Sequence, residues 1–222
     1  MPDLVLGPGA DTGAGPGAGP VLAPGAVLGT AAVVQALAAR LAATPAPAAG
    51  PRVVLVDGRS GSGKTSLAAA LAPRLGAAVV HLDELYPGWD GLAAGVGVLA
   101  REVLAPLRAG RTAAPARWDW GAGRWGPAVP VPAAPVVVCE GVGAGCAGPG
   151  ELLVQLSAPG AVRRRRALAR DGSTYAPHWR RWAAQEEELF ARHDVAGAAD
   201  VVLDGSGDER AGEAGRWRVL RA

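Results

Sequence analysis

The stretch Arg52-Val-Val-Leu-Val-Asp-Gly-Arg-Ser-Gly-Ser-Gly-Lys-Thr65 decides the fold of this chain. Its first half, 52–57, is a run of β-branched and apolar residues, which is typical of a parallel strand covered on both faces. Its second half, 58–65, matches the pattern G-x-x-x-x-G-K-[ST] in full. A helical pattern follows at 64–72, and Pro73 and Gly76 are expected to stop it. Strand, glycine-rich loop and helix in this order are the context that a phosphate-binding loop requires.

Lys64 is the only lysine among the 22 Lys and Arg residues of the chain. A flexible ammonium can curl over the β- and γ-phosphates of a nucleotide, where a planar guanidinium would not fit. The loop glycines let backbone N–H groups turn toward a phosphate, and the helix N-terminus adds a favourable partial charge. The expected cofactors are ATP and Mg²⁺, with the Thr65 hydroxyl on the metal. The residues expected to hold the nucleotide are Gly58, Arg59, Ser60, Gly61, Ser62, Gly63, Lys64, Thr65 and Ser66.

Length and composition suit one α/β domain. A chain of 222 residues with 50% hydrophobic content can bury a sizeable core, although 33 glycines and 19 prolines indicate many turns. Residues 1–50 are interpreted as a low-complexity N-terminal segment that is loosely packed or disordered over 1–29. One helix is predicted there from Thr30, as its cap, through Leu41. Residues 51–222 are interpreted as the phosphate-loop domain.

The charge pattern excludes several partners. A net charge of +2 gives little reason to expect nucleic acid. Residues 12–39 carry no charge, but prolines and glycines interrupt them, so no membrane partner is expected. Two cysteines, Cys139 and Cys146, and a start without a signal-peptide pattern favour the cytoplasm. The sequence indicates no oligomeric state.

From Arg52 onward, strand and helix patterns alternate. The predicted strands are 52–57, 78–82, 136–140, 152–157 and 200–203, and the predicted helices are 64–72, about 92–109, 161–170 and about 177–192. This order predicts an α/β, three-layer P-loop NTPase fold, with a five-stranded parallel sheet and helices on both faces. A short hairpin or flap is expected between 111 and 135. Its tryptophans Trp118, Trp120 and Trp125 either pack that hairpin locally or form a wall of an acceptor pocket.

Two carboxylates follow strands of the predicted sheet. Ligands of open parallel sheets bind beyond the carboxyl ends of the strands, where Asp83 and Glu140 stand. Beside a Mg-nucleotide, one carboxylate can orient or deprotonate an acceptor hydroxyl, and the other can bind metal-coordinated water. Asp83 is assigned the first role, and Glu140, together with Thr65, the metal. A solvated loop carboxylate is the alternative for each residue alone.

Four consecutive arginines begin at Arg163. On a helix they spread around the axis, whereas Arg163, Arg166 and Arg170 repeat along one side. A mobile arginine helix can close over the γ-phosphate and stabilise charge during transfer, an effect of about 10³–10⁵ in rate for arginine fingers. The alternative is a solvent-exposed arginine face.

With these residues in place, the chain resembles the uridine kinase-like P-loop nucleoside kinases over about residues 52–204. Asp83-Glu84-Leu85-Tyr86 is similar to the D-x-x-Y segment that supplies the catalytic aspartate in that family. Trp118-Asp119 looks like the aromatic–Asp pair that contacts the nucleoside, with tryptophan where the family usually has tyrosine. The resemblance therefore implies that Tyr86, Trp118 and Asp119 contact the substrate.

Two further segments carry the resemblance. Val136–Gly141 looks like the family's apolar run that ends in Glu-Gly, and 163–171 looks like its lid helix ending in Arg-Asp. The resemblance makes 51–222 a P-loop kinase domain with a lid at about 160–192. The implied catalytic residues are Asp83, Lys64, Arg166 and Arg170, Arg163 joins the nucleotide site, and Glu140 joins the substrate contacts.

The expected function is transfer of the γ-phosphoryl group of ATP to a small hydroxyl acceptor, with a pyrimidine nucleoside favoured. A small GTPase needs an N-K-x-D element, but the phosphate loop already uses the only lysine, Lys64. Two alternatives stay open: a kinase of nucleoside monophosphates or other small metabolites, and a non-kinase ATP-binding or ATPase regulator. Asp83 favours the enzyme, because a sensor needs no base for an acceptor.

Overall fold

The computed structural model describes residues 20–206 and 215–222. The strands are β1 (Val27–Gly29), β2 (Arg52–Gly58), β3 (Ala77–His81), β4 (Ala116–Asp119), β5 (Arg124–Ala128), β6 (Val136–Glu140), β7 (Leu152–Ser157), β8 (Val201–Asp204) and β9 (Arg216–Arg221). The α-helices are α1 (Thr30–Ala43), α2 (Lys64–Leu75), α3 (Leu92–Val98), α4 (Ala105–Arg108), α5 (Gly160–Tyr175), α6 (Trp179–Arg192) and α7 (Val195–Ala198). A π-helical stretch, Leu99–Leu104, joins α3 to α4.

The central sheet has the strand order β1-β9-β8-β7-β2-β6-β3. The strands from β8 to β3 are parallel, which confirms the predicted five-stranded parallel sheet. Two antiparallel strands, β9 and β1, extend it at the β8 edge. The prediction missed β1 because it lies in the glycine- and proline-rich segment, and it assigned no strand to the region of β9. The expected loose packing of 1–29 is therefore wrong for Val27–Gly29, and residues 1–19 lie outside the described part.

The sheet is covered on both faces, as predicted. Along β2, Val53 and Leu55 point into the core beneath α3, α4 and α6. Val54 and Val56 point into the second core, which α1 and α2 cover and to which β9 adds side chains. These four side chains are at most 2% exposed. Such burial explains why the strand reads as a continuous apolar run rather than an alternating one.

The first helix starts differently from the prediction. Gly29 is the N-cap of α1, and Thr30 is its first residue. The Thr30 hydroxyl donates to the Gly215 carbonyl at 2.8 Å and accepts a hydrogen bond from the indole N–H of Trp217 at 3.1 Å. Thr30 therefore ties the helix start to β9 instead of capping it.

The second helix runs through Pro73 and ends at Leu75. A proline removes one backbone hydrogen bond, which a helix close to its end tolerates. The helix stops where Gly76 adopts the left-handed conformation, with φ 58°. The predicted stop at Gly76 is thus confirmed, and the one at Pro73 is not.

The hairpin and the helical pair at the predicted lid are both present. β4 and β5 pair antiparallel around residues 120–123. α5 and α6 follow each other across a short 3₁₀ turn, Ala176–His178. Gly172 interrupts α5 with φ 52° and ψ −130°, a conformation that only glycine adopts readily. The kink separates the arginine-bearing part of α5 from Tyr175.

Candidate active site

A cavity of about 590 Å³ opens at the carboxyl ends of the parallel strands. Its floor is the phosphate loop, with Lys64 and Thr65, and its rim carries Asp83, Glu140 and Arg170. Five aromatic residues form its far wall, here called the aromatic wall: Tyr86, Trp89, Trp120, Tyr175 and Trp182. The volume suits a small ligand. The cavity therefore joins the predicted nucleotide residues to the predicted acceptor base in one space.

The phosphate loop has the backbone of an anion site. Gly61 and Gly63 have φ 80° and 103°, which are left-handed conformations that favour glycine. Gly63 is the N-cap of α2 and offers no side chain to the first N–H groups of the helix. Those N–H groups and the helix dipole are thus available to phosphate oxygens.

Lys64 lies over this loop with its ammonium donating to the Arg59 carbonyl at 3.2 Å. Burial lowers the pKa of Lys64, while the negative charges of Glu140 and Glu186 oppose that decrease. Of the other predicted loop residues, Ser62 is buried behind the loop, Ser66 is exposed on α2, and neither lines the cavity. The side chain of Arg59 turns away to pair with Glu187 at 2.7 Å.

Glu140 lies at the end of β6 and accepts two hydrogen bonds on one oxygen. Thr65 Oγ1 donates to its Oε1 at 3.1 Å, and His81 Nδ1 lies 2.8 Å from the same atom. Burial alone would raise the pKa of Glu140, but the His81 hydrogen bond and the Lys64 charge hold it below its ordinary value. The same hydrogen bond raises the pKa of His81. His81 was not predicted as a site residue, although it directly precedes the turn that carries Asp83.

Thr65 and Glu140 suit the predicted magnesium ion by their chemistry. A hydroxyl and an ionised carboxylate are oxygen ligands of the kind Mg²⁺ takes, and a nucleotide's phosphates and water supply the rest. Among residues 20–206 and 215–222, no group of three or more His, Cys, Asp and Glu side chains is arranged to hold a metal. A metal here would thus depend on the nucleotide for ligands.

Asp83 lies in a 3₁₀ turn, Leu82–Glu84, directly after β3. Its side chain is accessible within the cavity, but the surrounding protein still reduces its hydration. Burial raises the pKa of Asp83 from 3.8, and the charge of Glu140 adds to the rise. The indole N–H of Trp120 donates to the Asp83 carbonyl at 2.8 Å and so fixes this turn to the hairpin. A carboxylate with a raised pKa is a better proton acceptor than a free one.

The predicted arginine stripe divides into three separate contacts. Arg170 lines the cavity and pairs with both oxygens of Asp171, at 2.8 and 2.7 Å. Arg163 reaches the phosphate loop, where its Nη1 donates to the Ser60 carbonyl at 3.3 Å. Arg166 donates to the carbonyls of Gly205 and Ser206 at 2.7 and 3.0 Å. The structure therefore brings Arg170 and Arg163 to the site and leaves Arg166 outside the cavity.

The aromatic wall consists of rings in mutual contact. Trp89 stacks on Tyr175 with centroids 5.3 Å apart and meets Trp120 at 4.7 Å. Trp182 contacts Tyr86 at 5.0 Å. The Tyr86 hydroxyl donates to the Val142 carbonyl at 2.8 Å, so it supports the wall from behind. Of the predicted substrate contacts, Asp83, Tyr86 and Glu140 line the cavity.

The pair Trp118-Asp119 does not reach the cavity. Trp118 packs edge to face against Trp125, with centroids 5.3 Å apart. Asp119 Oδ1 accepts hydrogen bonds from the N–H groups of Gly121 and Ala122 at 2.9 and 2.8 Å and so closes the hairpin turn. Trp118 and Trp125 thus pack locally, whereas Trp120 lines the cavity.

Asp57 is a further buried residue that the sequence did not single out. It is fully buried at the end of β2, and its carboxylate accepts from the N–H groups of Gly58, Gly143 and Gly145. Burial raises the pKa of Asp57, and these three hydrogen bonds counteract the rise. Asp57 thus joins the start of the phosphate loop to the loop that follows Glu140.

Comparison with known proteins supports the fold. A structure described as a possible uridine kinase from Bacillus stearothermophilus is 20% identical, with a TM-score of 0.53 over 76% of this chain and 96% of that chain. A provisionally named fructose transport system kinase from Silicibacter sp. is 21% identical over 78% of this chain and 95% of that one, but its TM-score of 0.44 is too low to support an argument.

No protein-family model and no curated protein matches the sequence. Within the described residues, none of the helices is both long enough and apolar enough to cross a membrane. The chain shares the mixed α/β fold of the structure described as a possible uridine kinase, and the resemblance that the sequence indicated is confirmed at the level of the fold.

Proposed function

We propose that this protein is an ATP-dependent phosphotransferase that moves the γ-phosphoryl group to a hydroxyl of a small acceptor. The observation that carries the proposal is the shared cavity, in which the phosphate loop, Asp83 and the aromatic wall face one another. An ATPase that only hydrolyses or senses nucleotide has no need of a second, aromatic-lined compartment beside a carboxylate. A pyrimidine nucleoside is the favoured acceptor, because its planar base suits aromatic faces.

Each residue has a distinct role in this proposal. The loop N–H groups and Lys64 bind the phosphates and stabilise the charge that spreads over them during transfer. Asp83 accepts the proton of the acceptor hydroxyl, which its raised pKa favours. Arg170 stabilises the transferring group from the lid side. Mg²⁺, when bound near Thr65 and Glu140, would neutralise phosphate charge.

The aromatic wall determines which chemical groups of the acceptor can be bound. Its polar atoms are partly used inside the protein, since the Tyr86 hydroxyl and the Trp120 N–H both bond to carbonyls. The surface left for the ligand is the part of the wall that lines the cavity, chiefly Trp120, which is 38% exposed. The acceptor is therefore held mainly by stacking, with its hydroxyl directed toward Asp83.

An ADP-release screen tests the proposal. The full chain is incubated with Mg·ATP and, one at a time, nucleosides, nucleoside monophosphates and other metabolite alcohols. Acceleration by a nucleoside is the expected result, and acceleration only by a monophosphate or another alcohol would place the protein among kinases of a different acceptor. ADP release that no acceptor changes would contradict the proposal and favour the ATPase regulator.

A further inference from the structure

The tip of the phosphate loop is held by a carboxylate from the lid. Glu186, on α6, accepts a hydrogen bond on Oε1 from the backbone N–H of Ser60 at 2.7 Å. The two residues lie 126 positions apart in the sequence. Glu186 is only 1% exposed, so it is among the most buried charged side chains described. The contact thus joins the second lid helix directly to the nucleotide-binding loop.

The first lid helix holds the same point from the other side. Arg163 donates from Nη1 to the Ser60 carbonyl at 3.3 Å, and the same nitrogen lies 3.7 Å from Glu186 Oε2. At Gly61, a Cβ atom would lie 2.2 Å from the Arg163 carbonyl oxygen, so the loop and α5 are in backbone contact. The backbone N–H and the carbonyl of Ser60 are thus both bonded to the lid.

Burying a carboxylate to make this contact costs free energy. Removing such a charge from water costs several kcal/mol unless hydrogen bonds and an opposite charge compensate. Oε2 of Glu186 has no hydrogen bond within the described residues, so the Ser60 N–H and the Arg163 charge provide the compensation shown. A side chain used only for packing would not need a hydrogen-bond acceptor here.

The same helix face also reaches the acceptor end of the cavity. Trp182 precedes Glu186 by one helical turn, and both are buried, at 5% and 1% exposure. Trp182 belongs to the aromatic wall and contacts Tyr86 and Trp89, with centroids 5.0 and 6.2 Å away. α6 thus contacts the phosphate loop and the acceptor compartment through neighbouring turns of one rigid element.

We propose that Glu186 is a positioning residue: its hydrogen bond fixes the Ser60 amide, and through α6 it links the state of the phosphate loop to the aromatic wall. Of the proposed function, this inference uses only nucleotide binding at the loop. The hydrogen bond, rather than the charge alone, carries the effect. The proposal therefore predicts different effects for two conservative substitutions, Glu186→Gln and Glu186→Asp. A merely structural role would predict similar effects for both.

The test is nucleotide affinity measured by calorimetry with Mg·AMP-PNP, a non-hydrolysable ATP analogue. Glu186→Gln keeps an oxygen acceptor at the same reach, and its dissociation constant is expected within about twofold of the parent. Glu186→Asp keeps the charge but is too short to reach Ser60, and about tenfold weaker binding is expected for one lost charge-assisted hydrogen bond. Glu188→Gln is the matched control, because Glu188 pairs with Arg192 on the exposed face of the same helix.

Tryptophan fluorescence at saturating Mg·AMP-PNP gives the second readout. A nucleotide-dependent change is expected in the parent, Glu186→Gln and Glu188→Gln proteins and is expected to be lost in Glu186→Asp. Three results would overturn the proposal: an Asp variant that binds and responds like the parent, a Gln variant as weak as the Asp variant, or a Gln variant that binds more tightly. The last would show that the carboxylate competes with phosphate. A parent that binds no nucleotide would refute the proposed function itself.

Discussion

The two ends of the cavity are assembled in different ways. The phosphate end is one continuous segment, 58–65, which runs from the end of β2 into the start of α2. The acceptor end takes its rings from the segment after β3, from the hairpin and from both lid helices. A local backbone site of the first kind can be read from a short motif, because neighbouring residues determine its shape. A wall of the second kind exists only after the chain has folded.

This difference has a functional consequence. In the proposed function, the phosphate end binds through backbone N–H groups, which most substitutions leave in place. The acceptor would bind through side chains, so each ring can change on its own. Substitutions in the two halves should therefore separate turnover, nucleotide affinity and acceptor affinity from one another.

The largest effect is expected where the two halves meet, at Asp83. Asp83→Asn removes the proton acceptor and keeps the size of the side chain, so kcat should fall by at least a hundredfold and toward a thousandfold. Affinity for Mg·ATP should stay nearly unchanged. Asp119→Asn is the matched control, because Asp119 closes the hairpin turn and asparagine can replace it there. Equal activity of the two variants would remove Asp83 from the mechanism.

Arg170→Ala should have the next largest effect. Arg170 faces the cavity, and its loss should lower kcat by about a hundredfold, less than the full arginine-finger effect because Arg170 is also paired with Asp171. The comparison is Arg166→Ala, whose side chain bonds to the Gly205 and Ser206 carbonyls. That variant should lower Tm more than kcat. The reverse order, with turnover more sensitive to Arg166, would show that the lid rearranges to bring Arg166 to the phosphates.

Trp120→Ala should affect mainly the acceptor end. Loss of one stacking face should raise the acceptor KM by about tenfold and leave the KM for ATP unchanged. Trp125→Ala on the same hairpin is a close control, since the two rings are 38% and 40% exposed and only Trp120 lines the cavity. Steady-state kinetics with the acceptor from the screen distinguish them. An identical KM in both variants would limit Trp120 to packing of the hairpin.

The smallest expected effect is a shift of the acid limb of the kcat profile to higher pH. Burial raises the pKa of Asp83 above 3.8, and the neighbouring Glu140 raises it further. Asp83 must be ionised to accept a proton, so activity is lost as the pH falls through this raised pKa and is fully present above it. The acid limb of the kcat profile should thus lie at higher pH than for a free aspartate. A rate that is constant down to about pH 4 would contradict this assignment.

Much of this site could be predicted from the sequence because its residues follow strands. Asp83 and Glu140 stand at or just after the ends of parallel strands, and Lys64 and Thr65 begin the helix that follows the loop after β2, so the sheet brings all four together. The spacing of the arginines was less informative. Helical periodicity placed Arg166 on the side of Arg163 and Arg170, but it does not give the reach of a long side chain or the position of the carbonyls near 205.

The remaining residues gave no local signal. Glu186 stands in a run of three glutamates, and only the packing of α6 on the phosphate loop distinguishes it from Glu187 and Glu188. Trp120 stands one residue after the pair that the family resemblance favoured, in the hairpin turn, where it lines the cavity while Asp119 closes the turn. Such contacts depend on tertiary structure, which motif spacing does not contain.

The most direct test of phosphoryl transfer to an acceptor follows the phosphoryl group itself. The protein is incubated with Mg·ATP labelled at the γ-phosphate, together with the most active acceptor of the screen, and the products are separated. The label is predicted to appear in a phosphate ester of the acceptor, and Asp83→Asn should abolish most of that product. Label found only in inorganic phosphate, with or without the acceptor, would contradict the account.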